Sequence, residues 1–316
     1  MKKDVLYIVV PCYNEQEVLP ATTGSIVELL KKLVATDMVA EESRLLYVND
    51  GSTDATWQLI EQHTQAHHEV CGVKLAGNVG HQNALLAGME TACEKADIIV
   101  TVDADLQDDI SVIGQMIEKY QQGCDIVYGV RRERKSDTWF KRNTALAFYK
   151  LMRGLGVKSV YNHADYRLMS RRAVKQLLCY RERNLFLRGI VPLVGYKSDT
   201  VYYDRNPRLA GESKYPLGKM LGFAVDGITS FSIKPVRMVF TLGILFTLIA
   251  LGILIYVLVA YFSGRTVSGW SSLILSIWFV GGCVLVGLGI VGEYIGKIYI
   301  EVKDRPRYNI EQKILQ

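Results

Sequence analysis

The chain has 316 residues and a formal net charge of +5 at neutral pH, from 37 lysine and arginine residues against 32 acidic ones. This modest excess comes without a basic stripe interleaved with aromatic residues, so it disfavours nucleic acid as a partner and favours an anionic lipid surface. The six cysteines include no close pair, which argues against a zinc site and a disulfide framework.

The first half of the chain alternates short apolar runs with helical stretches. The runs VLYIVVP, RLLYVND, VKLAG, DIIVTVD and DIVYGV predict strands. Helices are expected between them, around residues 18–33, 55–67, 81–94 and 110–121. This alternation predicts an α/β fold with a mainly parallel sheet covered on both faces, where ligands bind at the carboxyl ends of the strands.

Two later stretches, from Val239 to Phe262 and from Ser271 to Gly292, contain no charged residue. As helices, both are long enough to cross a hydrocarbon core of roughly 30 Å. We predict two transmembrane helices rather than two buried core helices. Because Lys and Arg flank the pair while Arg265 is the one basic residue of the connecting loop, both chain ends should be cytoplasmic.

Two amphipathic stretches precede these spans. Residues 131–152 are basic first and then apolar on one side, so this stretch either packs on the sheet or lies at a membrane surface. Residues 215–233 lead directly into the first span, which favours an interfacial helix. The predicted organisation is a cytosolic domain over 1–215, an interfacial helix over 216–235, a transmembrane hairpin over 236–295 and a cytoplasmic tail over 296–316.

The segment VTVDADLQDD places acidic residues directly after a buried strand. Asp103 and Asp105 stand at alternate positions, so their side chains should converge where a divalent cation can neutralise them. Carboxylate oxygens suit Mg²⁺ or Mn²⁺, and Mg²⁺ fills the rest of its shell with water and phosphate oxygens. This pattern therefore predicts a phosphorylated ligand.

The phosphate-binding loops of other nucleotide folds are missing from the sequence. No Gly-x-Gly-x-x-Gly follows the first strand and no Gly-Lys-Ser/Thr loop occurs, which disfavours a dehydrogenase or a P-loop protein. Pro11, Tyr13 and Glu15 after one strand and Asp50 after the next instead suit a base and a ribose. The segment NDGSTD, which contains Asp50, is also typical of a turn followed by a helix N-cap.

Seven motifs then occur in an order that resembles the family-2 glycosyltransferases acting on polyisoprenyl phosphates. They are VPCYNE, NDGSTD, DADLQD, ADYRLMSRRAV, ERNLFLRGI, RLAGESKY and GEYIGKIYIEVKDRPRY. The sequence resembles the bacterial bactoprenol (undecaprenyl phosphate) glucosyltransferases most and is similar to dolichol-phosphate mannose synthase. One departure is Gly77 in GNVG, where many relatives have an arginine.

This resemblance implies roles for particular residues of a Rossmann-like GT-A nucleotide-sugar-binding domain. The nucleotide sugar would contact Pro11, Tyr13, Glu15, Asp50, Asp103 and Gln107. Asp103 and Asp105 would hold Mg²⁺ or Mn²⁺ with the diphosphate, and Asp105 and Asp165 would be catalytic. The phosphates and the acceptor would contact Arg131, Arg142, Arg208, Ser213 and Lys214.

The resemblance assigns Asp165 as the catalytic base, but the chemistry leaves its role open. The second pKa of a phosphate monoester is about 6, so the attacking oxygen of the acceptor is already mostly deprotonated at neutral pH. A strong base is hardly required. Asp165 would then position the sugar or the acceptor as much as take a proton.

The predicted activity is inverting transfer of one sugar, glucose or N-acetylglucosamine, from a UDP-sugar to undecaprenyl phosphate on the cytoplasmic leaflet of the cell membrane. The lipid-linked sugar would modify a surface polysaccharide after a flippase and a downstream glycosyltransferase act on it. Membrane lipids are further partners, and the resemblance is compatible with a homo-oligomer such as a tetramer. The alternatives are another donor (GDP-mannose or a modified aminosugar), a saccharide-extending synthase, and a non-enzymatic scaffold.

Overall fold

The computed structural model describes residues 3–132, 163–183, 185–204, 234–263 and 269–316. These residues belong to two compact units. The sheet unit contains the described residues up to 204 together with 305–316, and the helical unit contains residues 234–263 and 269–304. The chain thus leaves the sheet unit and returns to it at its C-terminal end.

The sheet unit is built on one eight-stranded sheet. Its strands are β1 (Leu6–Cys12), β2 (Arg44–Asn49), β3 (Val70–Leu75), β4 (Ile98–Thr101), β5 (Ile126–Arg131), β6 (His163–Ser170), β7 (Ser198–Tyr203) and β8 (Ile310–Ile314). The described helices are α1 (Leu19–Ala35), α2 (Thr56–Ala66), α3 (His81–Ala92), α4 (Ile113–Gln121), α5 (Arg171–Leu178) and α6 (Leu187–Ile190), with short 3-10 turns at Ile110–Val112 and Val191–Val194.

The strand order is β7-β5-β6-β4-β1-β2-β3-β8, and the sheet is mixed. Strands β4, β1, β2 and β3 are parallel neighbours, whereas β6 runs antiparallel between β4 and β5, and β8 runs antiparallel beside β3. The α/β architecture is confirmed. Six of the eight described strands run in the same direction, so the sheet is mainly parallel as predicted. It is mixed because β6 and β8, which come from segments that were not predicted as strands, run the other way.

Burial explains why the central strands β1 and β2 are mostly apolar. Every residue of β1 and β2 is buried, as expected for parallel strands covered on both faces. Helix α3 packs on them closely at Gly88, where a Cβ atom would lie 2.4 Å from Val9 Cγ1 and 2.7 Å from Val48 Cγ2. A larger residue at Gly88 would therefore push α3, and the loop before it, away from the sheet.

The helices predicted between the first five strands are confirmed to within three residues at each end. The stretch 110–121 begins as a 3-10 turn and becomes α-helical at Ile113. Periodicity identifies these helices well because each buries one apolar face on the sheet, for example through Ile26, Leu30 and Leu33 in α1.

The last residues of the chain form a strand rather than an open tail. Strand β8 pairs with β3, so that the edge of the parallel sheet is covered. Lys313 Nζ lies 3.2 Å from a carboxylate oxygen of Glu94, and the Tyr308 hydroxyl donates to Glu90 on α3. The segment predicted as a tail over 296–316 therefore contains the end of a helix and one sheet strand.

The helical unit consists of α7 (Lys234–Phe262) and α8 (Trp270–Val302), which contain the two charge-free stretches of the sequence. The rings of Phe246 and Phe279 meet edge to face, with centroids 5.9 Å apart. Among the described residues, the stretch long and apolar enough to cross a membrane is Phe279–Val302, with a mean hydropathy of 1.8. In α7 the described apolar stretch, Val236–Phe246, is shorter, so a second span stays a prediction.

Candidate functional site

The loops after β1 and β2 hold each other in place through reciprocal hydrogen bonds. The Asn14 backbone N–H donates to Ser52 Oγ at 3.0 Å, and Thr53 N–H donates back to Asn14 Oδ1 at 2.9 Å. Asn14 adopts a left-handed conformation with φ of 55°, which Asn tolerates better than most residues. This turn leaves Tyr13 exposed and Glu15 half-buried at the carboxyl edge of the sheet, while Pro11 is buried within β1.

Asp50 organises the loop before α3. Its carboxylate accepts the backbone N–H of Val79 at 2.7 Å and that of Gly80 at 3.0 Å. Burial raises its pKa, while these two hydrogen bonds and His81 act in the opposite direction. The buried carboxylate is therefore tied to the protein's own backbone, and its contact with a nucleotide stays a prediction.

The acidic residues that follow β4 divide into separate roles. The carboxylate of Asp108 is buried against Arg131, and Asp109 caps the 3-10 turn by accepting Ser111 N–H at 2.9 Å. Asp105 accepts the backbone N–H of Gln107 at 3.2 Å in a tight turn. Asp103 and Asp105 thus remain at the carboxyl edge of the sheet, half-exposed, as the sequence predicted.

The antiparallel register of β6 brings Asp165 to the same edge. Thr101 of β4 pairs with Arg167 of β6, so continuing the register by two residues places Asp165 opposite Asp103. The Thr101 hydroxyl fixes this end of β6 by donating to the Asp165 carbonyl at 2.5 Å. Two carboxylates separated by 62 positions in the sequence are neighbours for this reason.

His81, the first residue of α3, contacts both of these carboxylates. Its Nε2 lies 3.5 Å from Asp103 Oδ1 and 3.8 Å from Asp165 Oδ2. The pKa of Asp103 is raised, first by partial burial and then by the neighbouring carboxylates Asp108, Asp165 and Asp105, against a lowering by His81. Crowded negative charge at this point favours a cation.

The Asp165 carboxylate is held by two arginines. Arg167 Nη2 donates to Oδ1 at 2.5 Å, and Arg188 Nη2 donates to Oδ2 at 3.1 Å. Burial alone would raise the pKa of Asp165, but Arg167, Arg188 and His81 outweigh it and hold that pKa well below its ordinary value. Asp165 is therefore a stable carboxylate with little tendency to take a proton.

Arg131 lies at the end of β5 and points into a buried network. Its Nη2 donates to Asp108 Oδ1 at 2.9 Å, and the Tyr203 hydroxyl donates to the same oxygen at 2.6 Å. Burial would lower the pKa of Arg131, but Asp108 and Tyr203 raise it. The guanidinium of Arg131 is thus engaged with Asp108. Binding of a lipid phosphate by Arg131 stays a prediction.

Four of the predicted phosphate-binding and acceptor-binding residues lie outside the described residues. They are Arg142, Arg208, Ser213 and Lys214. The interfacial helix predicted over 216–235 lies outside them as well, apart from its last two residues. Roles for these positions stay predictions.

Asp103 and Asp105 fit a divalent cation that is shared with a phosphate. Within the described ranges, no group of three or more His, Cys, Asp or Glu side chains is arranged to hold a metal ion by itself. Two half-exposed carboxylates suit Mg²⁺ or Mn²⁺, since Mg²⁺ is usually bound through one or two carboxylates plus water and substrate phosphates. The cation would neutralise phosphate charge, with Asp103 and Asp105 as its protein ligands.

Sequence reasoning missed three residues of this site, His81, Arg167 and Arg188. His81 follows GNVG, a polar cluster noted after the third strand, and Arg188 lies in the motif ERNLFLRGI. The sequence could have indicated His81, because it follows the third strand closely and therefore lies at the same carboxyl edge of the sheet as Asp103. Arg167 stands two residues after Asp165 on β6, so the alternation of a strand places both side chains on one face. No periodicity or spacing identifies Arg188, because it reaches Asp165 only through the placement of α6.

The sequence model of Glycosyl transferase family 2 matches residues 7–178. The chain belongs to this family. The matched range covers β1 to α5 and includes Asp103, Asp105 and Asp165. The resemblance to family-2 glycosyltransferases drawn from the motifs is thereby confirmed, and with it the prediction that the chain is a glycosyltransferase enzyme.

Relatives in this family match the chain over nearly its full length. It is 53% identical over 97% of its length to an uncharacterized glycosyltransferase, YkoT, of Bacillus subtilis, of which 91% is covered. It is 38% identical over 96% of its length to the SfII prophage-derived bactoprenol glucosyl transferase of Shigella flexneri, of which 97% is covered. A solved structure, mannosyl-3-phosphoglycerate synthase from Rubrobacter xylanophilus, is 16% identical with a TM-score of 0.48 over 74% of each chain.

Proposed function

We propose that this family-2 glycosyltransferase transfers a single sugar from a UDP-sugar to undecaprenyl phosphate. The sugar is glucose or N-acetylglucosamine, and the transfer inverts the anomeric carbon. The observation that carries the proposal is the full-length similarity to bactoprenol glucosyl transferases, which extends beyond the family domain through both apolar helices.

The charge distribution of the site supports a reaction between two phosphorylated substrates. The donor carries a diphosphate and the acceptor a phosphate monoester, so the two anions repel each other unless cations lie between them. Asp103 and Asp105 fit a Mg²⁺ or Mn²⁺ that neutralises the diphosphate as it departs. Positioning and electrostatic stabilisation are the main contributions such a site can make.

The apolar helices support a lipid acceptor. Many large apolar side chains of α7 and α8 are exposed at the surface of the protein, among them Phe240, Leu285 and Val302. A polyprenyl chain is soluble only in the bilayer, so an enzyme that uses it must work at the membrane surface. We place the enzyme in the cell membrane with two spans, with the sheet unit and both termini cytoplasmic, where nucleotide sugars are made.

Further partners follow from the product. A sugar linked to a lipid on the cytoplasmic leaflet needs a flippase to reach the outer surface and a second glycosyltransferase to pass the sugar to a polysaccharide. A homo-oligomer, such as a tetramer, belongs to the same proposal.

The test is incubation of the purified full-length protein with undecaprenyl phosphate, Mn²⁺ or Mg²⁺, and one labelled donor at a time. The donors are UDP-glucose, UDP-N-acetylglucosamine, UDP-galactose and GDP-mannose. We expect one of the first two to label the organic phase with one sugar per lipid, and chelation of the metal to stop the reaction. Labelling by GDP-mannose alone, or several sugars per lipid, would favour the alternative donor or a saccharide-extending synthase.

Two matched variants make this test specific. Asp105→Asn removes a predicted metal ligand and should lower the rate by about 100-fold or more. Asp109→Asn, four residues further on, should keep the rate within about threefold of the unmodified protein, because Asn caps a turn as well as Asp does. No transfer from any donor would overturn the proposed function.

A further inference from the structure

The turn after β4 contains a backbone conformation that its sequence does not favour. Leu106 has a φ of 46°, in the left-handed region. Among the residues that the structure describes, the other non-glycine residues with a positive φ are Asn14, Asp37 and Asp304, whose short polar side chains tolerate this region. A bulky side chain disfavours it by roughly 5- to 30-fold. Leu106 therefore keeps this conformation because its surroundings impose it.

The same turn carries the two predicted cation ligands. The Leu106 N–H donates to the Asp103 carbonyl at 3.4 Å, which closes a four-residue turn, and Asp105 Oδ1 accepts the Gln107 N–H at 3.2 Å. The directions of the Asp103 and Asp105 side chains thus depend on the conformation of this turn. Because both of these hydrogen bonds are long, they contribute little to holding it.

Helix α1 supplies a shorter hydrogen bond to the centre of the turn. Thr22 Oγ1 lies 2.7 Å from the carbonyl oxygen of Ala104, the residue between the two carboxylates, and 3.0 Å from the carbonyl oxygen of Val18. Both Thr22 and Ala104 are buried. A bond to the carbonyl four residues earlier is common for a threonine in a helix, but a hydroxyl has only one proton to donate. The shorter contact, to Ala104, ties α1 to the turn.

The Thr22 hydroxyl also connects the two parts of the predicted site. Helix α1 begins at Leu19, shortly after the loop that contains Tyr13 and Glu15. The Glu15 carbonyl accepts the Leu19 N–H at 3.1 Å, so this loop leads directly into the helix. Thr22 lies in the first turn of α1. The segment predicted to contact the nucleotide and the segment predicted to hold the cation are therefore joined by one buried hydrogen bond.

A cation held by two carboxylates binds best when both are already oriented, because every other conformation of the turn lowers the apparent affinity in proportion to its population. We infer that Thr22 is a positioning residue for the divalent cation. Its hydroxyl, bound to the Ala104 carbonyl, keeps Leu106 left-handed. In that conformation Asp103 and Asp105 are both half-exposed at the carboxyl edge of the sheet. This inference rests on the proposed function, which includes the cation at these two carboxylates.

The experiment titrates Mn²⁺ into the purified full-length protein in the presence of UDP and follows unbound Mn²⁺ by electron paramagnetic resonance, with a protein-free titration of UDP subtracted. Thr22→Val removes the hydroxyl and keeps the branched shape, so the Kd for Mn²⁺ should rise about 3- to 10-fold, the value of one hydrogen bond. Thr22→Ser keeps the hydroxyl, so its Kd should stay within about twofold of the unmodified protein. An unchanged Kd in Thr22→Val, or an equal rise in Thr22→Ser, would overturn the inference.

The matched control is Thr23→Val. Thr23 is the next residue of α1 and is also buried, but its hydroxyl lies 2.8 Å from the Leu19 carbonyl oxygen and 2.9 Å from the hydroxyl of Tyr47 on β2. This variant removes the same group from the same helix without touching the turn after β4, so the Kd for Mn²⁺ should be unchanged. A matching rise of the Kd in Thr23→Val would mean that loosening of α1 causes the effect, and the inference would fall.

A second variant tests the backbone strain directly. Glycine adopts a positive φ about as readily as a negative one, so Leu106→Gly removes the preference that the Thr22 hydroxyl has to overcome. Adding Leu106→Gly to Thr22→Val should bring the Kd for Mn²⁺ back to within about twofold of the unmodified protein. A double variant that binds Mn²⁺ no better than Thr22→Val would show that the hydroxyl does not act through this turn, and would overturn the inference.

The transfer reaction gives a readout that a merely structural role would not change in this way. In Thr22→Val the Mn²⁺ concentration for half-maximal rate should rise by the same factor as the Kd, whereas the rate at saturating Mn²⁺ should stay within about threefold of the unmodified protein. A rate that stays low at saturating Mn²⁺ would place Thr22 in a step other than cation binding and overturn its assignment.

Asp105→Asn separates this inference from the proposed function. Loss of Mn²⁺ binding in Asp105→Asn, together with an unchanged Kd in Thr22→Val, would overturn the inference alone. The expected changes of the Kd, in a protein that transfers no sugar to the lipid, would support the role of Thr22 while the proposed function falls. Mn²⁺ binding that is absent from the unmodified protein, or unchanged in Asp105→Asn, would overturn the cation site and the inference with it.

Discussion

Asp108 and Asp165 are both buried carboxylates that accept hydrogen bonds from arginine, yet their surroundings differ. Asp108 accepts from one arginine, Arg131, and from the hydroxyl of Tyr203. Asp165 has two arginine partners, Arg167 and Arg188, and also lies 3.8 Å from His81 Nε2.

The two carboxylates therefore differ in the number of their arginine partners and in the exposure of those arginines. The contacts of Asp108 with Arg131 and Tyr203 join the turn after β4 to β5 and β7. Of the two arginines at Asp165, Arg167 is buried and Arg188 is partly exposed. An Asp–Arg pair therefore does not indicate function by itself.

The largest expected loss of stability is that of Asp165→Ala, because this variant leaves the buried Arg167 without the carboxylate of Asp165. Removing one partner of a buried pair costs about 3–5 kcal/mol, or roughly 6–20 °C in the unfolding midpoint of a unit of this size. Thermal unfolding of the purified protein measures it. Adding Arg167→Met to Asp165→Ala should restore most of the midpoint. A single variant as stable as the unmodified protein would contradict the view that Asp165 compensates Arg167.

Arg131→Gln should act on stability rather than on substrate binding. It leaves Asp108 buried with only Tyr203 of this network as a donor, so the midpoint should fall by roughly 4–12 °C, less than for Asp165→Ala because Arg131 is itself partly exposed. The acceptor KM of the folded enzyme should be unchanged. A raised acceptor KM at an unchanged midpoint would instead support the phosphate-binding role predicted from the sequence.

The pH dependence of stability should distinguish Asp165 from an ordinary base. Its pKa is lowered in the folded state, so its contribution to stability is present above the unfolded-state pKa of about 4 and is lost as the pH falls further. The midpoint difference between the unmodified protein and Asp165→Asn should be constant from pH 6 to pH 8 and shrink below about pH 4. A difference that changes between pH 6 and pH 8 would show that Asp165 titrates near neutrality.

Asp125 provides the control for this titration. Hydrogen bonds from Arg172 and Ser170 lower its pKa, with Arg172 the larger contribution, against a raising effect of burial. Asp125→Asn should therefore show the same loss of effect in acid, without any change in the acceptor KM.

The smallest expected fall of the unfolding midpoint is that of Tyr203→Phe. It removes one hydrogen bond to Asp108 while Arg131 keeps the charge compensated, so the cost is about 1 kcal/mol, or roughly 2–4 °C. A fall as large as that of Arg131→Gln would mean that the hydroxyl, rather than the guanidinium, holds Asp108 in place.

The sequence predicted the elements that bury their apolar residues in a regular pattern. The first five strands and the four helices between them were predicted because local burial repeats with the period of the element. The same pattern located Asp103 and Asp105 at a strand end. It could not identify β8, because a short edge strand is mostly exposed and its residues show no apolar alternation.

The sequence by itself determined the family, the α/β alternation, the charge-free helices and the acidic pair after β4, because each of these depends on a pattern of residues that are close together in the chain. The tertiary structure decided which charges meet. The antiparallel insertion of β6 sets Asp165 opposite Asp103, and the anchoring of α6 on α3 brings Arg188 to Asp165. Such contacts join residues far apart in the chain, and local pattern carries no information about strand order or register.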